Sequence, residues 1–82
     1  MASKPYNGHP SWNAWNVALW ISNDEGLYLY ALECINNCRK EGRASYHRAA
    51  KLFINGSGLV CTPDGAKYSI NSVKLALQGL ES

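Results

Sequence analysis

Residues 9–26 read HPSWNAWNVALWISNDEG, placing three tryptophans and three asparagines between Trp12 and Asn23 with no charged residue among them. Ser11 follows Pro10 and precedes Trp12, an arrangement that suits a helix N-cap and predicts a helix over 12–22. At 100° per residue, apolar side chains take nearly the whole circumference of that helix. The narrow polar arc carries Asn13 and Asn16, with Trp20 between them in projection. A helix of this kind belongs at the centre of a fold. Trp12 and Trp15, on the same side as Leu19, are expected in the core, and Trp20 is the ring expected to show.

Chain length sharpens that expectation. Eighty-two residues make one domain, 1–82, near the lower limit for a single core without disulfides or metal. Three buried tryptophans, at roughly 150–250 Å² each, contribute on the order of 10 kcal/mol gross, against a net stability of about 5–15 kcal/mol. A chain this short can hardly leave all three rings in water.

Outward from the first helix, a turn is expected at Asn7-Gly8 on the N-terminal side. On the other side, Asn23 and Asp24 can cap a second helix that runs to Lys40, where Gly42 ends it. Its inner face collects Leu27, Tyr28, Ala31, Cys34, Ile35 and Cys38. Glu33, Asn36, Asn37 and Lys40 mark the wet face, and Leu29 and Tyr30 beside them are candidate contact residues. From Arg43 to Ile54 the period repeats with Tyr46, Ala49, Ala50 and Phe53 inward and His47, Arg48 and Lys51 outward. Gly56 and Gly58 break the pattern. LVCTPDGAKYS then holds two short strand-like runs about Pro63-Asp64-Gly65. Ser69 or Asn71 can cap a last helix with Val73, Ala76, Leu77 and Leu80 at i, i+3, i+4 and i+7. The expected class is mainly α, a compact bundle of about four short helices with a small β-hairpin or wing before the last.

Charge is unevenly placed. Residues 1–33 carry a net −2, residues 34–54 a net +4 from Arg39, Lys40, Arg43, Arg48 and Lys51 against Glu41, and the remainder balances. That describes a local patch, His47 included, facing a partner or nucleic acid. No apolar run is long enough to span a membrane and MASKPYNGHP lacks a signal-peptide core, so a soluble, cytoplasmic protein is expected.

Catalytic chemistry has little to work with. Two histidines and six carboxylates form no recognisable pair, triad or phosphate loop, so no enzyme is expected. Cys34, Cys38 and Cys61 with His47 or His9 would make a tetrahedral donor set, but the spacing lacks the usual CxxC knuckle. The cysteines are read as free thiols packing as small apolar residues, with no metal and no cofactor. Asn13, Asn16 and Trp20 admit two readings. They form a partner surface together with Leu29 and Tyr30, or their polar atoms satisfy buried backbone groups and lock the N-terminal segment over the first helix.

NGHPSWNAWNVALWISNDEGLYLYAL near the start and TPDGAKYSINSVKLALQGL near the end resemble a family of small uncharacterised proteins encoded by bacteriophages and mobile elements. By analogy of context, small phage proteins of this kind are often inhibitors of host machinery, anti-CRISPR proteins included. The expectation is a non-enzymatic inhibitor of a host protein or ribonucleoprotein defence complex, with weak nucleic-acid binding. The alternative is a small winged or helix-turn-helix-like DNA-binding regulator. Against that alternative stands a connection of about fourteen residues before the last helix, where a helix-turn-helix uses three or four.

Overall fold

A computed structural model describes residues 11–80. The expected turn at Asn7-Gly8, the possible ligand His9 and the locking of the N-terminal segment lie outside them.

Helix α1 spans Trp12–Asn23 and starts where Ser11 accepts a hydrogen bond from the Ala14 amide at 3.1 Å. Asp24 serves two helices at once. Its backbone N–H closes α1 on the Trp20 carbonyl at 3.0 Å, and its carboxylate accepts from the Leu27 amide at 3.0 Å to open α2, Glu25–Asn37. One residue thus turns the chain, and two sets of orphan backbone groups are reduced together.

Beyond α2 the chain departs from the sequence reading. The helix stops at Asn37, and Arg39–Lys40 (β1) pairs antiparallel with Arg43–Ala44 (β2). Glu41 (φ 53°) and Gly42 (φ 81°) form the intervening turn, two consecutive left-handed residues as in a type I′ hairpin. Gly42 therefore turns a hairpin, where a helix end was expected. Helix α3 starts three residues later than expected, at Tyr46, because Ser45 supplies the cap: its hydroxyl accepts from the Arg48 amide at 3.3 Å.

α3 runs to Ser57 and passes through Gly56, which the sequence reading took for a breaker. The reason for glycine there is tertiary. A Cβ at Gly56 would collide with the Tyr30 hydroxyl. Gly58, left-handed at φ 71°, ends the helix and returns its N–H to Ile54.

Before α4 (Ile70–Leu80), the Pro63-Asp64-Gly65 turn is closed by a single antiparallel bridge, Cys61 to Lys67, with Thr62 donating its N–H to Ala66 at 2.8 Å. Ser69 and Ser72 then cap α4 reciprocally, each hydroxyl accepting the other's backbone N–H, at 3.1 and 3.0 Å. The mainly α class, four helices and a small turn-back before the last are as the sequence predicts. The two-stranded hairpin at 39–44 is additional.

α4 packs on α1 and α3, and α2 covers the remaining side. The core holds Val17 and Ile21 of α1, Ala31, Cys34 and Ile35 of α2, Phe53 of α3, and Val73 and Leu77 of α4. Phe53 has no exposed surface and stacks at a tilt between Tyr30 (5.4 Å) and Tyr68 (6.2 Å). Three expectations are corrected. Trp12 is 40 % exposed, with Trp15 and Leu19 half-buried, while Ala14, Val17 and Ile21 face inward. Apolarity all round α1 selects no face; the face turned inward is the one carrying Ala14, Val17 and Ile21, and the most extensive packing of α1 is with α4. Tyr28 is exposed, and so is Cys61, which does not pack as a core residue.

Candidate functional site

Asn13, Asn16 and Trp20 stand at i, i+3 and i+7 of α1 and so share one face. The loop before α4 is bound along that face. Asn13 acts as a strand partner would: its amide donates to the Lys67 carbonyl at 2.8 Å and accepts from the Lys67 N–H at 2.7 Å. One helical turn on, Asn16 is only 2 % exposed. Its oxygen accepts from the Thr62 hydroxyl at 2.6 Å and its amide donates to Asp64 Oδ2 at 3.0 Å. Thr62 Oγ1 also accepts from the Ala66 amide at 3.0 Å, tying the loop's two strands together from inside. The Trp20 indole N–H donates to the same Asp64 oxygen at 3.0 Å. Among the described residues, no buried side-chain nitrogen or oxygen is left without a partner.

This clasp shares with the second reading of the stripe that its polar atoms are used within the fold, but only Asn13 bonds backbone groups, those of the exposed Lys67, while Asn16 and Trp20 bond side chains, and the segment held is 62–67. Sequence reasoning did not find Thr62, Asp64 and Lys67 as the partners. The available signal was a stripe of amides together with a PDG turn that had no stated place to dock.

Hydrogen bonds from Asn16, and then Trp20, hold the Asp64 carboxyl below its ordinary value of 3.8, against a smaller opposing effect of burial. Because the folded pKa is depressed, the stabilisation is fully present above the unfolded value and is lost as pH falls through the folded one. Asp64→Asn is therefore expected to lower the thermal midpoint at neutral pH and to flatten its decline between about pH 5 and pH 2. A variant with the parent's acid limb would show that Asp64 contributes nothing to it.

Two concavities stand out on the surface, one of them against this frame. The first, about 470 Å³, is an open groove lined chiefly by Trp20, Leu27, Leu59, Pro63 and Tyr68, with Asp24 at its edge. The clasp makes one wall of it, because Trp20 and Pro63 are held on either side of Asp64. The second, about 400 Å³, lies beside the 39–44 hairpin and is lined by Lys40, Arg43 and Arg48 with Cys38, Ala44 and Ser45.

The remaining site candidates are dispersed. Leu29 is 56 % exposed and lies on the opposite side of α2 from Leu27 of the groove. Tyr30 is half-buried against Phe53, its hydroxyl donating to the Leu52 carbonyl at 3.5 Å, so it belongs more to the core than to a free contact surface. Of the basic set, His47 and Lys51 are exposed on α3, and Arg39 is exposed in β1 one residue before Lys40. Burial pushes the Cys34 thiol up, as an interior cysteine requires. Among the described residues no three His, Cys, Asp or Glu side chains are grouped to share a metal, and no helix is long and apolar enough to cross a membrane.

Fold and surface together define a small helical domain whose first helix is clasped by the loop preceding its last. The chain belongs to a family of unknown function (DUF7249), whose model matches residues 2–80. No curated protein and no solved structure matches it.

Proposed function

We propose that this chain is a non-enzymatic binding protein, encoded by a bacteriophage or related mobile element, that inhibits a host defence complex in the manner of an anti-CRISPR protein. The observation that carries the reading is the apolar groove of Trp20, Leu27, Leu59, Pro63 and Tyr68, built on a frame held by side-chain hydrogen bonds. A wall fixed before binding lowers the ordering cost of association. Asp24 at the edge, with Glu25 and Asp64 adjacent in sequence to groove residues, suits a partner segment with an apolar anchor flanked by lysine or arginine. The motif resemblance to phage and mobile-element proteins supports the biological setting.

The test is efficiency of phage plating on a host with an active defence system, with and without the protein, alongside co-elution with the purified defence complex. Rescue of plating and a complex that survives about 0.3 M salt, where exposed charge pairs are largely screened, are expected. Leu59→Glu, checked for fold by circular dichroism, should lose both. Full rescue by a folded Leu59→Glu protein would remove the groove from the account.

The DNA-binding regulator draws support from the basic set around the hairpin. It is the weaker reading because the turn at 63–65 is bound to α1 through Asp64, and the α3–α4 connection occupies residues 58–69. Nanomolar, sequence-specific duplex binding abolished by Arg43→Ala with Arg48→Ala would make it the primary one.

A further inference from the structure

We infer that Lys40, Arg43 and Arg48 form a seat for the phosphate backbone of nucleic acid, each cation pairing with a phosphate of the strand, separate from the apolar groove and independent of the inhibitor reading. Two local features of the fold are electrostatically unfavourable, and both meet at this one concavity.

Lys40 and Arg43 are directly opposite in the β1–β2 register, so their side chains leave the same face of the hairpin. Like charges in that position destabilise a strand pair. The strands have two residues each, and the turn between them holds Glu41, a non-glycine residue, in the left-handed region. Such a hairpin has little stability to spare. The third cation, Arg48, stands in the first turn of α3, where the helix dipole favours anions, and no acidic residue occupies that turn. Finally, no carboxylate lines the concavity, whose other walls are Cys38, Ala44 and Ser45. Phosphates seated against the three side chains relieve both repulsions at once. Departures from local rules that converge on one place are the mark of a functional site.

The geometry favours a nucleic-acid strand over a single phosphorylated side chain because positive charge continues past the seat. His47 and Lys51 are exposed on α3 beside Arg48, which offers positions for neighbouring phosphates. Nothing in this arrangement reads base edges, so binding is sequence-independent and salt-labile.

Fluorescence anisotropy with a labelled single strand of about fifteen nucleotides, titrated with potassium chloride, tests this directly. Three neutralised phosphates give a slope of roughly −2 in log K against log salt. Lys40→Ala, Arg43→Ala and Arg48→Ala should each weaken binding and reduce the slope by about 0.7, while Lys67→Ala, outside the seat, leaves both unchanged. These variants should also keep or raise the thermal midpoint, because each removes a repulsion. Inorganic phosphate should displace the strand better than chloride at equal ionic strength. The proposal is overturned if no binding is detected at about 50 mM salt, if Lys67→Ala costs as much as the three seat variants, or if a phosphopeptide or polyglutamate competes as well as the oligonucleotide. Co-elution with the defence complex through the groove is a separate readout, so either result stands without the other.

Discussion

Phe53→Ala is expected to cost about 3–5 kcal/mol, the range for truncating a fully buried phenylalanine, and to give the largest loss of any single core truncation here. Phe53 is the largest side chain with no exposed surface, and Tyr30 and Tyr68 lean on it from two other segments of the chain. Its removal opens a void that neither tyrosine can fill without leaving its own position. Tyr30 in particular lies over Gly56 and has little freedom to move. Domains of this size have a total stability of about 5–15 kcal/mol, so the variant should be partly unfolded at growth temperature. Urea denaturation gives the difference in free energy. A loss below about 1 kcal/mol would mean that the ring cluster is not the centre of the core.

The second large effect is expected at Asn16. Asn16→Leu keeps the approximate volume but deprives the Thr62 hydroxyl of its acceptor and Asp64 of a donor. A buried polar group left without a partner costs about 1–3 kcal/mol. Asn16→Asp should be worse than leucine at neutral pH, because it sets a second carboxylate against Asp64. It should recover relative to leucine in acid, where a protonated carboxyl can again donate. Equal melting temperatures for the two variants across the pH range would show that the clasp is not maintained by this pair.

What the sequence revealed, and what it hid, follows from the range of the forces involved. Helices α1, α2 and α4 were legible because their caps at Ser11, Asp24 and Ser69 and their apolar spacing lie within a few residues of one another. The 39–44 hairpin was not. Strands of two residues carry no period, and Glu41-Gly42 serves as readily for a helix end as for a left-handed turn. Gly56 looked like a breaker because its reason, Tyr30, lies on another helix. The stripe of Asn13, Asn16 and Trp20 was visible as an unusual surface, but the residues that satisfy it are 44 to 54 positions away, beyond any local pattern. The groove stayed hidden for the same reason, as it exists only once the 59–68 segment has come to rest beside α1 and α2.

The placement of α1 also has a consequence during synthesis. This helix is made before every other described element, yet its main packing partner is α4 and its polar stripe is satisfied by residues 62–67. At about 5–20 residues per second, a ribosome needs roughly 3 to 14 s to travel from residue 12 to residue 80. Until the chain has passed residue 67 the tryptophan-rich segment lacks its hydrogen-bond partners, and until it nears residue 80 it lacks the apolar face of α4, with only α2 to pack against. Folding therefore has to wait for the last helix, and each nascent chain passes through a period in which its most adhesive stretch depends on chaperones or low crowding to stay single.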